Sequence, residues 1–189
     1  VISDESTLEI RADSQSQTGE EFLAEGNAEA ERQSDLLKAD KIKYYTGTKN
    51  VSASGNVGYF NKEISVYSES AEYQGMDSDI TFSKAKYFRS KNSGSGLSEK
   101  IIVKRNKDIH LEDATYTACN INDPDWELTA TSTKLFDKDE RGHSYNMLLK
   151  YKNIPIFYSP FMSYPLTDKR QSGILTPSFG SSGDSGTAL

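Results

Sequence analysis

The side chains of this sequence that could carry catalysis or bind a metal are two histidines, one cysteine and a carboxylate pair. Neither His110 nor His143 has a cysteine, histidine or carboxylate in a spacing that would make a metal site specific. Glu112-Asp113 could serve as acid and base in a hydrolase with a trough-shaped groove. The sequence contains no glycine-rich phosphate loop and no nucleophile elbow. We therefore expect no enzyme, no metal and no cofactor.

The carboxylate pair lies inside an eight-residue outline that recurs along the chain. From Ile109 the outline reads IHLEDATY, in which apolar residues alternate by two, step once by three, and then alternate again. Alternation by two predicts a half-buried strand, and a bend or bulge at the three-residue step returns both halves to one face. The other copies begin at Leu37, Val66, Ile80 and Leu128, with a fainter copy at Ile10.

The kink positions of these copies favour a structural role for Glu112-Asp113, because the equivalent pairs have unrelated chemistry. They are Asp40-Lys41, Glu69-Ser70, Ser83-Lys84 and Thr131-Ser132. Plainer strands are expected at 51–60 and 101–103, and a flexible loop is expected at 91–98. The polar stretch 29–35 could be a helix from its charges, but the repeat favours a strand and turn.

The repeat predicts an all-β fold, either a β-jelly roll or a V-shaped open stack of antiparallel strands with an apolar interior. Small residues recur at interior positions, which suits either tight packing in a dry core or room for a bound molecule. An open stack also has two free edges, which suit pairing with a similar protein. The residues expected on the interior face are Ile42, Tyr44, Val66, Ala71, Tyr73, Ile80, Phe82, Ala85, Tyr87, Ile109, Leu111, Ala114, Tyr116, Leu128 and Leu135.

Composition excludes some classes of partner. The chain of 189 residues has a net charge of −6 and shows no basic face, so no nucleic-acid partner is expected. No apolar run is long enough for a membrane helix. No secretory signal stands at Val1, although one could have been removed, since the chain does not begin with Met. Cys119 has no partner within the sequence, so it is either a free thiol or bonded to a cysteine elsewhere.

The character of the sequence changes after Ser144. Pro155, Pro160 and Pro165 are spaced by five with aromatic residues between them, and proline cannot donate to a β-ladder. This segment should therefore be an edge strand or an extended connector. The Gly/Ser-rich stretch 178–188 is typical of a frayed end or of a cut through a larger protein.

Two stretches of the sequence carry a resemblance to a known family. One is Tyr116–Trp126, in which Cys119 is followed by a polar turn and a tryptophan. The other begins at Ile154 with IPIFYSP and continues through Pro165 and Asp168-Lys169-Arg170 to the string SGILTP, which ends at Pro177. These stretches resemble the LPS-assembly proteins of the Gram-negative outer membrane, the OstA family, and the Ala-Asp strands resemble the repeats of their periplasmic domain.

The resemblance implies a function and a set of partners. The amino-terminal part of the family is a periplasmic β-jelly roll at the outer membrane. It accepts lipopolysaccharide from a periplasmic bridge protein of similar fold and delivers it to the protein's own carboxy-terminal β-barrel, which holds a lipoprotein plug. Acyl chains would travel along the interior face. The resemblance further implies a β-domain over 1–150, a proline-rich hinge over 151–177, and over 178–189 either the start of a truncated β-barrel or a disordered end. The implied hinge residues are Pro155, Phe157, Tyr158, Pro160, Pro165, Lys169 and Arg170.

The resemblance also implies an interdomain disulfide from Cys119 to the barrel. Many members have another cysteine near the amino terminus. Here that second link is absent or its cysteine precedes Val1. Lys169 and Arg170 could meet phosphate near the hinge, or Arg170 could simply pair with Asp168. Two alternatives to a lipid conduit remain: a structural adaptor that joins partners by its edges around a dry core, and a carbohydrate-active β-solenoid enzyme.

Overall fold

The computed structural model describes residues 9–32, 34–75, 79–90 and 94–166. Within these ranges no helix is long and apolar enough to span a membrane. The regular elements are the strands β1 (Glu9–Arg11), β2 (Ser14–Thr18), β3 (Glu21–Arg32), β4 (Asp35–Tyr45), β5 (Asn50–Phe60), β6 (Ile64–Gln74), β7 (Asp79–Arg89), β8 (Ser95–Val103), β9 (Ile109–Tyr116), β10 (Trp126–Phe136), β11 (Arg141–Tyr151) and β12 (Ile154–Pro165).

All twelve strands form one antiparallel sheet whose order follows the chain. The strands β1 and β2 both pair with β3, each along one half of it, so together they act as a single broken edge strand. At the other edge β12 pairs with β11 from Ile154 to Pro165. The all-β open stack that the sequence predicts is therefore confirmed, and the proline-rich segment takes an edge position as expected from its missing N–H groups.

The strands are kinked at a row of residues in the left-handed backbone region. One such residue interrupts every second strand, with φ between 43° and 49°: Asn27, Asn56, Lys84, Asp113 and Asn146. Around the first two, the register shifts against the neighbouring strand, as it does at a β-bulge. At Lys84, Asp113 and Asn146 the left-handed residue lets the side-chain alternation change phase in mid-strand, because the buried residues on either side of it are three apart. The interpretation of Glu112-Asp113 as a geometric kink therefore agrees with the structure.

Polar side chains from adjacent strands complete two of these kinks. Asp40 on β4 accepts a hydrogen bond from Asn56 Nδ2 at 2.9 Å, and Asp13 accepts the equivalent bond from Asn27 at 2.8 Å. Gly55 precedes Asn56 with a φ of 76°, and a Cβ atom there would lie 2.5 Å from Asp40 Oδ2. In both places, the aspartate of an Ala-Asp dipeptide accepts a hydrogen bond from the asparagine of a Gly-Asn dipeptide.

Serine hydroxyls take the same place in later strands. Ser98 Oγ lies 2.9 Å from the backbone oxygen of Lys100 and 2.7 Å from that of Glu112 on the neighbouring strand. Ser68 and Ser159 likewise donate to the backbone oxygen two residues further along their own strands. Backbone oxygens that a kink leaves without a ladder partner are satisfied in this way, which removes the cost of burying them unpaired.

The row of kinks divides the sheet into two halves that pack against each other. We call arm A the half that contains the amino-terminal halves of β3, β5, β7, β9 and β11, and arm B the other half. Tyr59 belongs to arm B and Phe82 to arm A, because their cross-strand partners are Val66 and Ala71 respectively. Their ring centroids are nevertheless 5.3 Å apart. The arms are therefore folded face to face, as a V.

Two expectations about the plainer segments are wrong. The strand β5 is kinked as well, because Gly55-Asn56 supplies a four-residue step in place of the three-residue step. The expected loop at 91–98 is shorter, since Ser95–Ser98 begins β8. Gly96 and Ser98 belong to the buried face, and a Cβ atom at Gly96 would lie 1.9 Å from the backbone oxygen of Thr115. Close strand packing, rather than flexibility, accounts for this composition.

The kink geometry predicts opposite effects for one substitution at two neighbouring positions. Lys84→Gly should leave the free energy of unfolding unchanged or raise it by up to about 1 kcal/mol, because it relieves a left-handed strain of about 1–2 kcal/mol at the entropic cost of a glycine. Lys86→Gly, two residues further along the same strand in ordinary extended backbone, should lower it by about 1 kcal/mol. Urea unfolding followed by tyrosine and tryptophan fluorescence measures both. Equal losses at the two positions would contradict the assigned kink.

Candidate functional site

The inner face of the folded sheet collects the residues that the sequence assigns to the interior. Their cross-strand partners are one another, so they share a face; for example, Phe82 pairs with Ala71 and Ile101. Most are buried, namely Ile42, Val66, Ala71, Phe82, Ala85, Tyr87, Ile109, Leu111, Ala114 and Leu135. The others are partly buried, namely Tyr44, Tyr73, Ile80, Tyr116 and Leu128.

Several members of this inner face were missed by the sequence interpretation. Some lie on strands thought to be plain, and others, such as Ala24 and Ala28, lie in the acidic amino-terminal part. The signal for both groups is the Gly-Asn pair, which marks a kink with four residues between inner positions. The missed buried residues are Ala24, Ala28, Ala30, Val51, Val57, Tyr59, Ile64, Ile101, Val103 and Met147, whereas Ala39 and Ala53 are buried at small interior positions that the sequence predicts.

Small side chains let the two arms approach closely. Alanines occupy inner positions beside the kinks on adjacent strands, and Ala53 and Ala71 are direct cross-strand partners, each 2% exposed. The inner residues form one contiguous cluster that spans β3 to β10. In this state the two arms are in contact, and apolar side chains of one arm fill the space beside the other.

The contact between the arms loosens towards β12. In arm B, Ala114 is 6% exposed, its successors along the inner row, Tyr116, Leu128 and Leu149, are partly buried, and Phe157 on β12 is 49% exposed. These residues are linked by successive cross-strand pairs, so they form one continuous apolar row. We call the space between the arms the groove. It is closed at the β3 end and partly open at the β12 end.

Tyrosine hydroxyls supply the polar contacts of the groove. Tyr87 donates to the backbone oxygen of Thr115 at 2.6 Å, and Tyr164 lies 3.2 Å from the Ser144 hydroxyl. Burial raises the pKa of Tyr87 and Tyr164, because the phenolate would lose its hydration inside the fold. These tyrosines are therefore neutral at physiological pH and add no charge to the lining of the groove.

The outer face, in contrast, is charged and hydrated. Lys41 and Lys43 on β4 pair with Glu25 and Glu21 on β3 at 2.8 and 3.1 Å. These pairs are exposed and therefore add little to stability. The sheet thus separates an apolar inner surface from a polar outer one across the thickness of a single layer.

The candidates for chemistry stay apart from the groove. His110 and His143 lie on the outer face, and Glu112 pairs with Lys100 across the sheet at 3.7 Å. Within the described residues no group of three or more histidine, cysteine or acidic side chains could hold a metal ion. No acid–base pair is therefore aimed into the groove.

Cys119 lies in the loop between β9 and β10, where a threonine holds the backbone. Thr117 is 2% exposed, and its hydroxyl accepts from the Cys119 N–H at 3.0 Å and donates to the Trp126 backbone oxygen at 2.7 Å. The thiol itself is free and partly buried. A rigid loop therefore presents an unbonded cysteine close to the open end of the groove.

The predicted hinge residues fall into two groups. Those from Pro155 to Pro165 lie on β12, where the side chains of Phe157 and Tyr158 are 49% and 57% exposed. Lys169 and Arg170 lie outside the described residues, as does the segment 178–189. The concentration of exposed apolar side chains on β12 marks this edge as a contact surface.

The described residues thus form an open antiparallel sheet folded around an apolar groove, with ion pairs on its outer face. Among known proteins, this chain is similar to the LPS-assembly protein LptD. It is 31% identical to LptD of Azoarcus sp. strain BH72 over 89% of this chain and 22% of that protein. It is 30% identical to LptD of Methylococcus capsulatus over 83% and 15%, and 27% identical to LptD of Shewanella oneidensis over 97% and 24%.

The chain thus spans about 15 to 24% of the length of the curated relatives it matches. No family model matches it. Among solved structures it is similar to LptH, the LptA-homologous periplasmic component of the lipopolysaccharide transport device of Pseudomonas aeruginosa, with a TM-score of 0.51 and 16% identity. That likeness covers 57% of this chain and 83% of LptH, and it supports the fold alone. By sequence, the chain is a relative of LptD.

Burial of the tyrosines predicts a loss of stability in alkali. Burial raises the pKa of Tyr59 and Tyr87 in the folded state, whereas in the unfolded chain the pKa of a tyrosine is about 10. Above that pH the unfolded state loses protons that the folded state keeps, so the free energy of unfolding should fall as pH rises.

Urea unfolding between pH 8 and 11 measures this slope. Tyr59→Phe should make the slope shallower, because one buried group that resists ionisation is gone. Phe82→Leu, at a ring in contact with Tyr59, serves as the control, since it should lower stability at every pH without changing the slope. If Tyr59→Phe left the dependence of the unfolding free energy on pH unchanged, the raised pKa of Tyr59 in the folded state would be contradicted.

Proposed function

We propose that this chain takes part in lipopolysaccharide transport and assembly at the outer membrane of a Gram-negative bacterium, on its periplasmic side. The observation that carries the proposal is the continuous apolar inner face of an open, two-armed sheet that loosens towards one edge. The acyl chains would lie in the groove and the sugars would stay in water. The similarity to LptD over most of the chain supports this choice among carriers of apolar molecules.

The physical cost of loading such a groove is small. Acyl chains that enter between the arms replace apolar contacts between side chains with equivalent contacts to methylene groups. Each buried methylene gains about 0.8 kcal/mol on leaving water, and this gain does not depend on direction. Since strands in a sheet lie about 4.8 Å apart, the groove extends for roughly 50 Å, and an acyl chain could slide along it without a deep energy minimum.

The two free edges would serve transfer in and out. The short β1 and β2 already pair with β3, so the free edge at this end is their own, and a periplasmic bridge protein of similar fold could add its strand there. Cargo would then move along the groove towards β12, where it opens. The β12 edge suits the delivery end, because its apolar side chains are already exposed.

The remaining parts of the proposal concern chain beyond the described sheet. The β-domain would span 1–150, the hinge 151–177, and a carboxy-terminal β-barrel with its lipoprotein plug would follow. Cys119 would form a disulfide with that barrel, for which its free thiol near the open end of the groove is suitable. Lys169 and Arg170 would contact phosphate near the hinge. We propose no catalytic role for any residue.

Photo-crosslinking tests whether the groove carries lipid. A photoreactive amino acid at Phe82 or Leu111 on the inner face should capture lipopolysaccharide, whereas one at Ser83 or Glu112 on the outer face should capture far less. Each pair is matched, because the two positions are adjacent in one strand and differ in face. Capture is measured by immunoblotting for lipopolysaccharide. Equal labelling of both faces, or no labelling of either, would contradict lipid transport in the groove. It would favour the structural adaptor, which pairs with its partners by its edges and has a dry core.

A second experiment tests whether the arms must separate. Cysteines at 59 and 82, joined by a short bismaleimide in a Cys119→Ser background, would tie arm B to arm A. This bridge should abolish lipid capture at Leu111, while unbridged protein retains it. The control pair is cysteines at 71 and 82, which face each other within arm A and should not block entry when joined. Capture that persists across a complete 59–82 bridge would rule out entry between the arms.

A further inference from the structure

The outer face carries a depression that the proposed function leaves unused. It lies at the outer end of arm A, where the turn between β8 and β9 meets the ends of β7 and β10. Asp79, Lys104, Arg105, Asn106, Asp108, His110 and Phe136 line it. It is separated from the groove by the thickness of the sheet, because His110 and its cross-strand partner Lys134 lie on the face opposite Ile109 and Leu135.

The acidic side chains of this depression are already engaged. Asp79 forms an ion pair with Lys104. Asp108 accepts the Asp137 N–H at 3.0 Å with one oxygen and the Asn106 amide at 2.8 Å with the other. These contacts fix the turn and neutralise one lysine. The two carboxylates therefore shape the depression and do not dominate its charge.

Two cations in or beside the depression have no such partner: Arg105 lines it, and Lys134 is the cross-strand partner of His110. Within the described residues, neither the Arg105 nor the Lys134 side chain forms a hydrogen bond or an ion pair. His110 lies between Lys104 and Lys134, and burial, followed by the charge of these two lysines, lowers its pKa. A neutral imidazole can both donate and accept a hydrogen bond. In a chain with a net charge of −6, this is a local site for an anionic group.

An aromatic ladder leads away from the depression across β10, β11 and β12. The ring of Phe136 is 5.1 Å from that of His143, which is 5.6 Å from Phe161, and Phe161 is 5.2 Å from Tyr145. Phe161 and Tyr145 are 48% and 41% exposed on the outer face. Exposed rings beside polar hydrogen-bonding groups offer both the apolar surface and the polar contacts that a sugar ring presents on its faces and edge.

We propose that this outer site binds a saccharide that carries an anionic group. The charge would lie against Arg105 and Lys134, and the sugar rings against Phe136, His143 and Phe161. The inference rests on the proposed function, since it assigns the glycan part of the same amphipathic cargo to the outer face of the strands whose inner face would hold the acyl chains. The saccharide and the acyl chains would thus contact opposite faces of the same sheet.

Binding of water-soluble oligosaccharides to the whole chain tests the site by calorimetry. The probes are an acyl-free oligosaccharide with phosphate groups, an oligosaccharide with carboxylates such as oligogalacturonate, a neutral oligosaccharide of the same length, and inorganic phosphate. One or both anionic oligosaccharides should bind at least about tenfold more tightly than the neutral one, as expected for a charge-assisted contact of about 1.5–3 kcal/mol. Whichever of the two anionic oligosaccharides binds more tightly shows whether phosphate or carboxylate is the recognised group.

Matched variants locate the binding. Arg105→Gln with Lys134→Gln should weaken binding about tenfold or more, and Phe161→Ser should weaken it several-fold. The controls Lys86→Gln and Phe88→Ser remove a similar cation and a similarly exposed ring from the outer face of arm B and should change nothing. Circular dichroism confirms that each variant is folded.

Several results would overturn the site. They are equal affinity for the neutral oligosaccharide, affinity for inorganic phosphate as high as for the anionic sugars, no binding, or equal losses in the control variants. Failure here is distinguishable from failure of the groove, because these probes have no acyl chains and lipid capture at Phe82 requires none of the outer residues.

Discussion

Side-chain alternation is the constraint on which the whole structure depends. In a regular strand every second side chain faces the same way, so a strand that is interrupted by a kink must return its apolar residues to the inner face beyond it. At Lys84, Asp113 and Asn146 one residue in left-handed backbone makes the step between inner residues three instead of two, and at Asn27 and Asn56 a Gly-Asn pair makes that step four. Both halves of each of these strands therefore stay apolar on the inside. Without this row of kinks there would be no facing arms, no groove and no separation of an apolar side from a polar one.

Much of this architecture could be predicted from the sequence because the phase change is visible wherever the inner residues are large. The steps from Leu111 to Ala114 and from Phe82 to Ala85 reveal both the strand and its bend. The same geometry is hidden where inner positions carry Gly96 or Ser98, since these residues are also typical of loops. Their burial depends on the close approach of β9, which no local pattern records.

The groove could be predicted only in part. The residues that line it follow from periodicity. Whether the two arms touch does not, because that depends on contacts between residues far apart in the chain, such as Tyr59 and Phe82. The outer depression could not be predicted either. Lys104, Arg105 and Lys134 look like ordinary solvated charges in sequence, and only the pairing of β9 with β10 brings Lys134 beside His110. Resemblance, rather than periodicity, suggested the nature of the cargo.

From β3 to β12 the order of strands in the sheet follows their order in the chain, and each of these strands pairs with its sequence neighbours. Such a topology has mostly short-range connections, so each new hairpin can dock onto those already formed without waiting for distant chain. A chain delivered across a membrane amino terminus first could therefore assemble progressively, as repeat proteins do. The same property would let the sheet lengthen or shorten by whole hairpins over evolution, with little effect on the rest.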